Sequence, residues 1–155
     1  MNLFITDKAH PERVRPPSPP AVFGLPVRTL NIASHWHSAA TGALLAAEIG
    51  RKPTNLHLHV QRIALWSSLG NAEEVAAAVV DLWIILGPRG QALRKRMLRT
   101  HRAALAQAGL AGCMEARLVE GADRYDPQFA GPGVVLARPV WGVRQFLRTV
   151  PSARS

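Results

Sequence analysis

One cysteine, three lysines and ten carboxylates in 155 residues are the scarcities that first narrow what this chain can be. Cys113 is alone, so no intramolecular disulfide can form, and nothing in cysteine usage points to an oxidising compartment. No apolar run approaches the roughly 20 residues that a membrane span requires. The longest, over 75–86, is interrupted by Asp81. The opening sequence MNLFITDKAHPERV has an apolar run of three or four residues before Asp7, too short for the core of a secretory signal. These absences predict a cytoplasmic protein. Equally missing are a P-loop, a dinucleotide-binding glycine pattern, a nucleophile elbow, an EF-hand loop and zinc-finger spacing.

The shortage of Asp and Glu leaves the strongest positive signal. Nineteen Lys and Arg face ten acidic residues, for a formal net charge of +9 and a pI near 11.4. Nearly all the bases are Arg, and Ala, Gly and Pro are abundant, which looks like the codon bias of a GC-rich genome. The number of arginines alone therefore says little, but the scarcity of acids is not explained that way. Such a balance favours an acidic partner: nucleic acid, an anionic membrane surface or an acidic protein. With 48% hydrophobic residues, the chain is long enough for one core and too short for two ordinary domains.

Six prolines crowd residues 11–26, where fixed φ and missing N–H groups exclude helix and inner strand. Residues 1–27 are accordingly read as a proline-rich tail or linker and 28–155 as a single, mainly α-helical domain. A first helix is expected over 34–49, with Ser34 as N-cap and Trp36, Ala40, Ala43, Leu44 and Ala47 on its buried stripe; its many small residues would let another helix approach closely. Residues 55–69 read as helix (stripe Leu56, Val60, Ile63, Ala64, Ser67), although Leu56, Leu58 and Val60 alternate with His57, His59 and Gln61 as a strand would. Asn71 and Glu74 have the form of a capping box for a helix over 72–86 that is apolar nearly all round and thus central to a bundle. Asp81, embedded in that run, needs a partner such as an arginine or else stays protonated, and structural pairing is the expected role. A GPRG turn leads to a helix over 91–108, so 72–108 should form a helical hairpin. Beyond it, 114–119 and 134–140 are short and β-compatible, predicting a minor β or irregular C-terminal part, with a closing helix over 140–150.

Two H-x-H pairs, His35/His37 and His57/His59, invite a metal reading. On a helix the two rings of such a pair lie about 200° apart and cannot share an ion. No cofactor or metal is therefore expected, and no catalytic residue is assigned. His57-Leu-His59-Val-Gln61 does resemble the active-site strand of the galactose-1-phosphate uridylyltransferase and dinucleoside tetraphosphate phosphorylase branch of the histidine-triad superfamily. The resemblance covers five residues, and it implies a phosphate-ester enzyme in which His59 attacks phosphorus, with His57 and Gln61 beside it. That family places a multi-stranded sheet upstream of the motif, where this chain has a proline-rich stretch and an Ala-rich helix.

The helix after GPRG is the most suggestive feature for function. Counting about 100° per residue, Leu93, Met97, Ala104 and Ala108 lie together, flanked by Leu98 and Leu105, while Lys95, Arg96, Arg99 and Arg102 occupy the opposite arc. Arg89 stands at the entrance, Arg94 sits apart near the apolar edge, and no carboxylate occurs between Asp81 and Glu115. The wholly apolar preceding helix fits a plain hairpin better than a DNA-binding helix-turn-helix. The expected function is a non-catalytic interaction or adaptor protein that docks an acidic partner through Arg89, Lys95, Arg96, Arg99 and Arg102. A nucleic-acid-binding regulator using the same face is the alternative. Single-strand binding calls for aromatic platforms beside the charge, and the basic helix has none.

Overall fold

Three short polar side chains start the three long helices of the chain, whose computed structural model describes residues 32–139. Ser38 Oγ accepts from the Thr41 N–H at 3.2 Å and opens α1, Ala39–Arg51. Asn55 Oδ1 accepts from the His57 N–H at the head of α2, Leu56–Ser68. Asn71 Oδ1 accepts from the Glu74 N–H at the head of α3, Ala72–Leu86. Each cap satisfies one of the backbone donors that a helix start leaves orphaned. The box at Asn71 is only half made: the Asn71 N–H donates to Trp66 O at 3.1 Å, and the Glu74 carboxylate accepts from Arg62 at 3.3 Å. After α3 come α4 (Gln91–Thr100), α5 (Arg102–Gln107) and α6 (Ala111–Ala116), with single 3₁₀ turns at Ser34–Trp36 and Pro127–Phe129.

The domain is mainly helical, as the periodicity predicted, but two helical faces are rotated from expectation. α1 begins after Ser38, since Ser34 belongs to a 3₁₀ turn. It buries Thr41, Gly42, Leu45 and Ile49, whereas Ala43 and Ala47 face solvent. Counting every Ala as apolar hid the stripe that its larger side chains define. α2 settles the helix-or-strand ambiguity over 55–62 as helix. It buries Leu58, His59, Gln61, Arg62, Ile63, Leu65 and Trp66, and leaves Leu56 39% exposed. The small-residue approach predicted for α1 occurs at Gly42, where a Cβ would lie 2.2 Å from Trp66 Cζ2.

α3 packs on α2 and on α5, and α1 packs on α2. The helical hairpin is therefore formed by α3 with α5. The expected helix over 91–108 is two helices, parted at His101 (φ −109°, ψ 20°), although His101 N–H to Met97 O and Leu105 N–H to His101 O continue the i→i−4 pattern. The core has two parts. Ile63, Trp66, Val79, Trp83, Leu98, Leu105, Met114 and Phe129 belong to the larger. Ile32, Leu45, Ile49, Leu58, Leu65 and Leu136 form the smaller, and Ile84 touches both.

The C-terminal part is irregular, and the described residues contain no strand. Residues 114–119 lie in α6 and the turn after it. In the segment over 134–139 the Val135 and Leu136 donors find a side chain instead of a neighbouring strand, while Val134 and Arg138 donate to the isolated carbonyls of Gly131 and Arg124. Asp81 Oδ1 accepts from the N–H groups of Val135 (3.0 Å) and Leu136 (2.8 Å), and Oδ2 accepts from Arg62 Nη1 at 2.7 Å. Arg62 Nη2 donates to Gly133 O at 2.6 Å. Asp81 thus finds the arginine it required, and the pair ties α2, α3 and the C-terminal segment together. The tail over 1–27 and the expected helix over 140–150 lie outside the described residues. None of the described helices is long and apolar enough to cross a membrane.

Breaking a buried ion pair by removing one partner leaves an uncompensated charge, at a cost of about 3–5 kcal/mol. Asp81→Ala should therefore lower the unfolding free energy by about that amount in urea titrations followed by circular dichroism. The double variant Asp81→Leu with Arg62→Met should lose less than the sum of the single losses, because no isolated charge then stays in the core.

Candidate functional site

α4 starts from a turn in which Gly87 (φ 53°) and Gly90 (φ 72°) take up positive φ around Pro88 and Arg89. Gly90 offers no side-chain cap. What fixes this turn is Arg94, the residue that sequence reading set near the apolar edge and that in fact has no exposed surface. Its guanidinium donates to five carbonyls: Nε to Leu118 O at 3.0 Å, Nη2 to Val119 O at 2.8 Å and Pro88 O at 3.4 Å, and Nη1 to Gly87 O and Arg89 O. Its Cζ lies 5.8 Å from the centroid of a Trp83 ring. Burial pulls the Arg94 pKa down from its ordinary value, yet five oriented carbonyl dipoles suit a cation that arginine does not readily give up. The clasp joins the α3–α4 turn to the turn after α6. The two backbones meet so closely at Gly121 (φ 86°) that a Cβ there would sit 2.2 Å from Gly87 O.

With Arg94, Leu98 and Leu105 turned inward, and Leu93, Met97 and Ala104 half-buried, the outer arc is set. Lys95, Arg96 and Arg99 are exposed on α4, and Arg89 is exposed in the turn before it. None of these four side chains has a carboxylate partner among the described residues. Arg102 differs: its Nη1 meets Glu115 Oε1 of α6 at 2.7 Å in an exposed pair. The compensating acid for this face is thus Glu115, at one position. Ala108, expected on the apolar stripe, is exposed.

The histidines do not assemble a site. His57 is exposed and His59 fully buried on the helix α2, so the strand that the histidine-triad resemblance needs is absent. His59 Nε2 lies 2.8 Å from Pro53 O, and the fully buried ring offers no surface that a phosphate ester could reach. His37 Nε2 pairs with Ile32 O. No group of three or more His, Cys, Asp or Glu among the described residues could hold a metal ion. Cys113 donates to Gln128 Oε1 at 3.1 Å, and burial raises its thiol pKa, which disfavours the reactive thiolate. A cleft of about 270 Å³ runs between α3 and the 128–134 loop, floored by Ala76, Ala77, Phe129 and Val134 with Glu73 at its edge. It is smaller than most ligand pockets and holds no convergent set of polar groups.

Sequence reading missed the two buried arginines. The signal for Arg94 was its spacing: it precedes Leu98 by four and Leu105 by eleven, the positions of one helical face. Arg62 had a weaker signal, the need of Asp81 for a cation. Arg94→Lys should cost about 2–4 kcal/mol, because an ammonium has three donors for five carbonyls and cannot reproduce the planar fork. Thermal unfolding would read this as a fall in Tm.

Comparison with protein-family models, with curated proteins and with solved structures finds no match.

Proposed function

We propose that this chain is a non-catalytic interaction protein that docks an acidic protein surface through α4 and the turn before it. The observation behind this reading is the set of four exposed cations, Arg89, Lys95, Arg96 and Arg99, with no carboxylate partner among the described residues. Solvation alone accounts for scattered surface charge, but one-sided clusters raise the local potential and steer acidic partners. Arg94 anchors the backbone beneath them, so that the cations are presented from a fixed helix and less ordering is needed on binding. Arg102 is already held by Glu115 and acts at the border of the face. The absence of an exposed aromatic within α4 argues against base stacking, which leaves a carboxylate-rich protein partner ahead of single-stranded nucleic acid.

The test uses a fluorescent Glu-rich peptide and a mixed-sequence DNA duplex as separate anionic probes, titrated by anisotropy over a range of salt. The variant combines Lys95→Glu, Arg96→Glu and Arg99→Glu, and keeps Arg102 because its reversal would set two acids side by side at Glu115. Three exposed pairs at roughly 0.2–1 kcal/mol each correspond to about a tenfold loss of peptide affinity, with an unchanged circular dichroism spectrum. Binding of the duplex alone, with a log–log salt slope near −3.6 for about four neutralised phosphates, would shift the reading to nucleic acid. Equal binding of the peptide by wild type and variant would remove the docking reading.

A further inference from the structure

His59 is fully buried, and its ring has one partner: Nε2 lies 2.8 Å from Pro53 O, in the turn between α1 and α2. With Nε2–H donating to that carbonyl, Nδ1 is left with a lone pair and no partner among the described residues. The site therefore accepts the neutral ring and has no acceptor for a second proton. The charged groups acting on the ring are Arg62 of its own helix and Asp81 of α3. Those two are committed to each other and to the 133–136 backbone, so Asp81 is not free to receive a proton from Nδ1.

The helix that runs into this turn, α1, is the least anchored of the long helices among the described residues. α1 packs chiefly on α2, and its contribution to the smaller core part is Leu45 and Ile49. α2 is additionally pinned to α3 by the Arg62–Asp81 pair. Opening at the turn would thus free α1 before it freed α2 or α3, as local unfolding follows the weakest packing. We infer that His59 is a proton-operated latch: a ring protonated on Nδ1 still donates to Pro53 O but has no acceptor for its new proton in the closed, buried site, so proton uptake favours an opened α1–α2 turn that wets the ring and uncovers the apolar face of Leu45 and Ile49, while α2 and α3 stay paired.

The direction with pH follows from the environment of the ring. Burial, the largest effect, lowers the His59 pKa below its ordinary 6.5 and Arg62 pushes the same way, against smaller upward effects of the Pro53 carbonyl and Asp81. The open form, with the ring in water, takes up a proton near the ordinary value. The latch holds fully above pH 6.5 and weakens as the pH falls from there toward the lowered value of the closed form. Across that window the opening equilibrium should rise by up to about tenfold per pH unit.

Hydrogen exchange of the full chain, corrected for the intrinsic pH dependence of exchange, reads this directly. Protection of 39–55 should fall on acidification from pH 7.5 to 5.5 (about tenfold at most, nearly all of it below pH 6.5), while the centre of α3 keeps its protection. His101 is also half-buried with a pKa lowered by burial, so the experiment is run in a His101→Gln background. His59→Gln, which retains a donor for Pro53 O and cannot titrate, should flatten the response of 39–55. Imidazole ¹⁵N shifts of the otherwise unaltered chain give a second reading that does not depend on that variant folding: the neutral Nε2–H tautomer, with a titration midpoint below 6.5. Simultaneous loss of protection in α1 and α3, an unchanged response in a folded His59→Gln, or a His59 midpoint at or above 6.5 would each overturn the latch.

Discussion

The Arg62–Asp81 pair is the constraint on which the rest of the described fold leans. A carboxylate in the middle of a nearly all-apolar helix cannot stay charged without a cation and hydrogen-bond donors. Arg62 from α2 supplies the cation, and the backbone of Val135 and Leu136 supplies the donors. The register of α2 against α3 and the path of the C-terminal segment therefore answer to one side chain. Arg62 completes the arrangement by reaching Gly133 O and Glu74. The last contact goes with a cap at Asn71 that runs in only one direction, the Asn71 N–H being taken by Trp66 O.

Arg94 does the same kind of work at the C-terminal end of α3, with a different chemistry. Its counter-groups are five neutral carbonyls instead of a carboxylate. Several belong to the end of α3 and the turn following α6, where helix carbonyls lack partners and their dipoles favour a cation. Two of the basic residues in this strongly basic chain are thus structural. The surface excess relevant to a partner is correspondingly smaller than the net charge suggests, and among the described residues its densest unpaired cluster is on α4 and the turn before it.

Helices with a cap or strong periodicity were legible from sequence: α2 and α3 appear at the expected places, and the α3–α4 turn falls at GPRG. Faces were harder to read. On α1, alanines outvoted Leu45 and Ile49, and on α2 the rule that His, Gln and Arg point outward failed at His59, Gln61 and Arg62. For Arg62 the rule fails because Asp81 and Gly133, far away in sequence, supply a hydrogen-bonded interior, whereas His59 is met by Pro53 six positions earlier. The expected β-compatible segments failed for a related reason. The donors of Val135 and Leu136 are met by Asp81, more than fifty positions earlier, and short-range patterns do not show such a pairing. Of the candidate face, Lys95, Arg96 and Arg99 were legible from helical spacing, whereas the engagement of Arg102 by Glu115 depends on how α5 and α6 pack.

Gly42 and Trp66 form a lock between α1 and α2 in which the indole occupies the volume that any larger residue at 42 would need. Evolution can move such a pair only in step. An Ala or Ser at 42 demands a smaller or displaced ring at 66, and losing the ring without filling position 42 opens a void in the core. Among sequences that share this fold, these two positions should therefore covary, and a helix-crossing distance would be recorded as a correlation between a glycine and a tryptophan 24 places apart.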